Sequence, residues 1–208
     1  MTAPWTTVLA RVAEQLNAHG VDWMLLGSAA TALRGAAVVP GDIDIAGRTE
    51  DDIVRAAAIL PTPQSAPADG PADWISTAAA PVLHFGGAEE RWTFGRWMID
   101  GVKVELAHID APAVDGLMLE TRSPLVWAHR QNLDCHGQPI PVVPLEVQLV
   151  TMIARHQDAR LAATLAAVDP AALDLPLLRR AIADKQSEDP TLALPEPIRT
   201  LAAVGGLP

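Results

Sequence analysis

Cysteine is almost missing from this sequence of 208 residues, in which Cys135 is the single example. One cysteine excludes an intramolecular disulfide framework and a zinc site built from cysteines. The six histidines are scattered without a pair at helical spacing, so we interpret each as an ordinary surface or core residue. Because a reducing compartment disfavours disulfides, this composition predicts a cytoplasmic protein.

Long apolar runs and an excess of positive charge are missing as well. No uncharged stretch approaches the ~20 apolar residues that a membrane span needs, and the first residues lack the features of a signal peptide. The formal net charge is −10. It argues against an extended nucleic-acid surface, since such surfaces cluster lysine and arginine. A small positive pocket for one nucleotide remains compatible with it.

The residues that are present predict a folded α/β (or α+β) protein. Hydrophobic residues make up 50% of the chain, enough to bury a substantial core. We expect a mixed β-sheet flanked by helices over residues 1–143, a helical extension over 144–189, and a poorly structured tail over 190–208.

Local patterns predict the individual elements of this fold. The predicted helices begin at Thr6 or Thr7, at Ala29, at Thr49 and at Leu145, with further helices over 159–168 and 171–185. The predicted strands are 21–26, 42–45 and those of two hairpins. The first hairpin joins 91–99 to 102–109 through the turn signal Asp100-Gly101, and the second joins 125–128 to 140–143 through a turn within 134–138. We interpret 61–73, rich in proline and alanine, as an exposed loop.

The first functional candidate is the turn Gly27-Ser28, between a buried strand and a helix. Backbone amides at the start of a helix bind phosphate when a glycine allows close approach and a hydroxyl adds a donor. The alternative interpretation is a simple connection without a ligand.

The second candidate is the pair Asp42 and Asp44, which one residue separates in a strand. Both side chains therefore project from one face of the sheet, while Ile43 and Ile45 point into the core. Adjacent carboxylates repel each other, which favours a bridging cation between them. A solvated acidic edge is the alternative.

The third candidate is Glu105, in a segment where Val102, Val104 and Leu106 form the apolar face. Lys103 and Glu105 share the polar face, so a neighbouring strand could add a third carboxylate to Asp42 and Asp44. Three such oxygen ligands suit Mg²⁺ or Mn²⁺. The alternative is a salt bridge between Lys103 and Glu105, worth about 0–1 kcal/mol at a surface.

These motifs together resemble the signature of the nucleotidyltransferase superfamily related to DNA polymerase beta. Leu26-Gly27-Ser28 is followed by thirteen residues and then by Asp42-Ile43-Asp44-Ile45. The sequence is similar to small bacterial members of this superfamily over residues 20–110, and more loosely to 168. The resemblance implies an enzyme with a mixed sheet and C-terminal helices.

The resemblance also implies roles for individual residues. Asp42 and Asp44 would be catalytic residues that bind two metal ions, and Gly27 and Ser28 would bind the triphosphate. Glu105 would replace the third acid, which is usually aspartate. Arg34, Arg48 or Arg155 would add positive charge for the nucleotide phosphates, although this does not follow from the motif, and the alternative for each is an ordinary surface arginine.

One C-terminal segment departs from the pattern of the small relatives. Many of these relatives have a helix with the pattern Lys-x-x-x-Arg-x-Lys-Asp, in which x is any residue. The matching segment here keeps Arg155 and Asp158 and has Thr151 and Gln157 where the lysines stand. If those lysines hold phosphate in the relatives, catalysis in this protein would be weaker, differently organised or absent.

The sequence therefore predicts a metal-dependent nucleotidyltransferase that transfers a nucleoside monophosphate from a nucleoside triphosphate, such as ATP, to an unidentified acceptor hydroxyl. The first alternative is an inactive nucleotide-binding or sensor module. The second is the toxin of a toxin–antitoxin pair, which would have an antitoxin partner. No membrane partner is expected.

Overall fold

The computed structural model describes residues 4–62, 74–112 and 121–203. In this part of the chain, seven strands form one sheet: β1 Trp23–Leu25, β2 Ile43–Gly47, β3 Leu83–Gly86, β4 Arg91–Ile99, β5 Val102–Asp110, β6 Gln131–Cys135 and β7 Gln138–Val142. The α-helices of the same residues are α1 Pro4–Ala18, α2 Gly27–Leu33, α3 Glu50–Ile59, α4 Pro124–Ala128, α5 Leu145–Ala154, α6 Asp158–Ala167, α7 Leu175–Glu188 and α8 Glu196–Ala203. None of these helices is long and apolar enough to cross a bilayer.

The sheet is mixed, with the strand order β3-β4-β5-β2-β1-β7-β6. Strands β2 and β5 pair in parallel, as do β1 and β7, and the other neighbours are antiparallel. The mixed α/β architecture that the sequence predicted is therefore confirmed. The central parallel pair, β2 and β5, carries the acidic residues.

The two faces of β2 have different neighbours. Ile43 and Ile45 are buried in the core as predicted, with 0% and 2% of their surface exposed. Helix α3 lies on this face, because a side chain at Gly47 would meet Ile53 of that helix. The residues of β2 that alternate with them face the other side of the sheet.

Two local predictions are confirmed in detail. Thr49 caps α3 in a capping box, in which its hydroxyl accepts from the backbone of Asp52 and the Asp52 carboxylate accepts from the backbone of Thr49. The turn between β4 and β5 places Asp100 and Gly101 at φ values of 50° and 78°. Positive values at both positions are those of a tight hairpin turn that matches the twist of the strands.

The predicted hairpin between 125–128 and 140–143 is wrong. Its first segment is helix α4, which begins with Pro124, a residue whose fixed φ suits the first turn of a helix. The hairpin instead joins β6 to β7 through His136 and Gly137, which both have positive φ. The turn was correctly located, but the strand before it begins later in the chain.

The tail predicted for residues 190–208 is corrected in part. Residues 196–203 form helix α8, in which Ile198 is fully buried and the Ala202 carbonyl accepts from Arg179 Nε at 2.8 Å. Proline early in a segment is compatible with a helix start, so Pro197 does not break this one. Residues 204–208 and most of the predicted loop at 61–73 lie outside the described residues.

Candidate metal and nucleotide site

Three carboxylates meet where β2 runs beside β5. The parallel register places Asp44 directly opposite Glu105, and Asp42 immediately precedes β2. Each of the three residues offers an oxygen within 4.8 Å of the other two. All three are partly exposed, so an ion could reach them. The structure thus brings together Asp42, Asp44 and Glu105, the three predicted metal ligands.

Two basic side chains contact this acidic cluster. Lys103 Nζ lies 2.9 Å from Oδ2 of Asp42 and 3.4 Å from Oε1 of Glu105. Arg96, which faces Glu105 across β4 and β5, donates from Nε to the same Oε1 at 2.6 Å. The salt bridge that the sequence offered as an alternative is therefore present within the cluster.

The electrostatics of the cluster are clearest at Asp44. Burial, followed by the negative charges of Asp42 and Glu105, raises the pKa of Asp44 from 3.8 to about 6, although Lys103 and Arg160 act in the opposite direction. The ionised form of Asp44 is therefore costly in the metal-free protein. A cation beside it would relieve that cost.

Helix α2 begins directly against the acidic cluster. Gly27, its first residue, has a φ of 62°. A Cβ at this position would lie 3.1 Å from Asp44 Cγ and closer still to one carboxylate oxygen. The Gly27 carbonyl accepts from Gln148 Nε2 of α5 at 2.8 Å. Both the backbone conformation and the contact with Asp44 therefore require glycine.

A cavity of about 660 Å³ opens over this face of the sheet. Its floor includes Asp44 and Glu105, and Trp92 and Phe94 of β4 add aromatic surface. The positively charged side chains on its wall are Arg122, Arg155, Arg160 and Lys185. The volume lies within the range typical of small-molecule sites.

The predicted nucleotide-binding residues are not all on this cavity. Gly27 and Arg155 line it, and Ser28 is the next residue of α2. The Arg34 guanidinium instead donates to the Val143 carbonyl at 2.6 Å and to the amide oxygens of Gln131 and Gln148 at 2.9 and 3.0 Å. These bonds tie the end of α2 to β6, to the residue that follows β7 and to α5.

Sequence reasoning missed several residues of the cavity. Arg122, Arg160 and Lys185 belong to no motif, and they approach the site from three separate segments of the chain. Gln148, which contacts Gly27 of α2, was also missed. Its only signal in the sequence was a polar side chain between Val147 and Leu149. Thr151 and Gln157 stand where the small relatives have lysine, but Arg122, Arg160 and Lys185 bring positive charge to the cavity from other segments.

Comparison with known proteins supports the fold. The chain resembles the crystal structure of a "putative nucleotidyltransferase" from Thermotoga maritima, with a TM-score of 0.53 and 23% identity. The similarity covers 80% of this chain and 93% of that one. No protein-family model and no curated protein matches the sequence. The chain therefore has a nucleotidyltransferase-like fold, as the motifs of β2 and α2 predicted.

Proposed function

We propose that this protein is a metal-dependent nucleotidyltransferase, which transfers a nucleoside monophosphate from a nucleoside triphosphate to an acceptor hydroxyl. The observation that carries the proposal is the convergence of Asp42, Asp44 and Glu105 where β2 runs beside β5, with Asp44 and Glu105 on the floor of a cavity of about 660 Å³. The similarity of the fold to a nucleotidyltransferase-like structure is consistent with it.

The donor atoms of the cluster fit a divalent metal. Three carboxylates without histidine or cysteine form a hard, anionic ligand set, which suits Mg²⁺ or Mn²⁺. Such an ion would lower the pKa of the attacking hydroxyl or neutralise the charge of the leaving pyrophosphate. Asp42, Asp44 and Glu105 would hold it, and the raised pKa of Asp44 indicates a site that gains from added positive charge.

Other residues of the cavity would bind the nucleotide. The cavity wall carries positive charge that would balance the negative charge of the phosphates, from Arg122, Arg155, Arg160 and Lys185. Gly27 allows the backbone of α2 to approach the acidic cluster without a side chain between them. Trp92 offers an aromatic face against which a planar base could pack.

Binding and product formation test this proposal. We expect Mn²⁺-dependent binding of one or more of ATP, CTP, GTP and UTP, and release of pyrophosphate when an acceptor is supplied. Both should be lost in Asp42→Asn and Asp44→Asn. The matched control is Glu14→Gln, which removes one exposed negative charge from α1. Nucleotide binding that persists unchanged in both aspartate variants would contradict the assigned site.

An inactive nucleotide-binding module is the second candidate. It is favoured by Glu105, whose Oε1 already contacts both Arg96 and Lys103 and is therefore less available as a base. Single-turnover assays with nucleotide labelled at the α-phosphate separate the two functions. An enzyme transfers the label to RNA, protein or a small molecule, whereas a sensor binds the nucleotide and returns it unchanged.

A further inference from the structure

Lys103 lies on the acidic cluster because of strand register. The parallel pairing of β2 with β5 sets Ile43 opposite Val104 and Asp44 opposite Glu105. The same register brings Lys103 beside Asp42, on the face of the sheet that carries the carboxylates. Lys103 is one of two lysines in the chain. Its position beside the carboxylates is set by the pairing of the two strands.

The ammonium group bridges two of the three carboxylates. It lies 2.9 Å from Asp42 Oδ2 and 3.4 Å from Glu105 Oε1. Both distances are those of ion pairs, so the ammonium partly neutralises two of the carboxylates. The side chain of Lys103 is 36% exposed, so it is partly buried against the acidic cluster.

The charge balance limits how many ions the cluster would hold. Three carboxylates carry at most three negative charges, and Lys103 and Arg96 already contribute two positive charges at contact distance. One divalent ion more than neutralises the single negative charge that remains on these protein groups. The phosphates of a bound nucleotide would add negative charge of their own, so the decisive effect is the local one at Lys103. A second divalent ion, placed between Asp42 and Glu105, would meet the ammonium of Lys103 and its repulsion.

We propose that Lys103 is a built-in cation of this site, which bridges Asp42 and Glu105 in place of a second metal ion, so that the protein binds one divalent ion per chain. This inference rests on the proposed function, because it assumes that the acidic cluster binds metal. It makes Lys103 a positioning residue that sets the number of metal ions.

The number of bound Mn²⁺ ions tests the inference directly. Equilibrium dialysis counts the ions per chain in the presence of α,β-methylene-ATP, which does not react. Electron paramagnetic resonance distinguishes an isolated Mn²⁺ from a pair about 3.5–4 Å apart, because a close pair is magnetically coupled. We expect one uncoupled ion in the wild type, and two coupled ions in Lys103→Met and Lys103→Gln.

Two further variants separate charge from other effects. Lys103→Arg keeps the positive charge and should bind one ion. Arg11→Met, which removes a surface cation paired with Asp100 at the hairpin turn, should also bind one. Circular dichroism checks that each variant is folded. Two uncharged variants are used, so that Lys103→Gln still tests the inference if Lys103→Met does not fold.

The outcomes distinguish this inference from the proposed function. Two ions in the wild type, or one ion in both uncharged variants, would overturn the role of Lys103 and leave the metal site in place. No bound Mn²⁺ on either the wild type or the uncharged variants would overturn the metal-dependent function, and the inference with it.

Discussion

The contact between Gly27 and Asp44 predicts that Gly27→Ala is much more damaging than an alanine at a comparable glycine. Gly27 has a φ of 62°, and the new Cβ would press on the Asp44 carboxylate. Gly20 provides a matched control: its φ is 64°, and nothing lies within 4 Å of the position that a Cβ would take. The two substitutions therefore share a backbone cost and differ in the contact.

The expected magnitudes follow from this comparison. An alanine held at positive φ costs about 1–2 kcal/mol, which is the whole effect expected for Gly20→Ala. Gly27→Ala adds the displacement of Asp44, for which overpacking costs of about 1–3 kcal/mol are typical. Its total is about 2–5 kcal/mol. In a chain of this length each kcal/mol lowers Tm by about 2–4 °C.

A double-mutant cycle isolates the contact with Asp44. Urea unfolding measures the cost of Gly27→Ala in the wild type and again in Asp44→Ala, where the carboxylate is removed. In the second background the cost should fall toward that of Gly20→Ala, because, of the contacts with residue 44, only the one to its Cβ, at 3.3 Å, remains. An equal cost of Gly27→Ala in both backgrounds would refute the reasoning, because it would mean that the alanine does not disturb Asp44.

Two further predictions concern stability. An acid with its pKa raised on folding, such as Asp44 at about 6, stabilises the protein most below about pH 4, and that contribution is lost as the pH rises through 6. In metal-free urea titrations from about pH 4 to 7.5, we expect the wild type to lose about 2–3 kcal/mol relative to Asp44→Asn; a constant difference would contradict this pKa. Arg34→Met should cost about 3–5 kcal/mol, because it leaves the acceptor oxygens of the buried Val143 and Gln148 and of the partly buried Gln131 unpaired, at about 1–3 kcal/mol for each buried group. The exposed Arg155→Met should change unfolding by less than about 0.5 kcal/mol, and equal costs for the two arginines would refute the structural role of Arg34.

The acidic cluster could be predicted because each part of it is a local pattern. Strict alternation around Asp42 and Asp44, and again around Glu105, fixes which face of a strand each carboxylate occupies. The turn signal at Asp100-Gly101 fixed the boundaries of the β4–β5 hairpin. Only the pairing of β2 with β5 had to be assumed, and the structure supplies it.

Apart from Arg155, the positive wall of the cavity could not be predicted, because it depends on contacts between distant segments. Arg122, Arg160 and Lys185 reach the site from the segment before α4, from α6 and from α7. The role of Arg34 was also hidden, since its partners Gln131 and Val143 are about a hundred residues away. Helical spacing in the sequence does not show whether a charged side chain contacts a ligand or another part of the protein.

The register of β2 and β5 connects these results. The pairing that sets Asp44 opposite Glu105 also sets Asp42 beside Lys103, so the acidic residues and their countercharge have one structural origin. A shift of one residue would turn one strand's polar side chains to the other face of the sheet and bring Ile43 or Val104 toward the cavity. Because both isoleucines of β2 are buried on the opposite face, the core strongly disfavours such a shift. The burial of Ile43 and Ile45 on β2, together with that of Val104 and Leu106 on β5, therefore fixes where the carboxylates lie and places a lysine among them. The number of bound divalent ions is for this reason the most direct test of what the acidic cluster does.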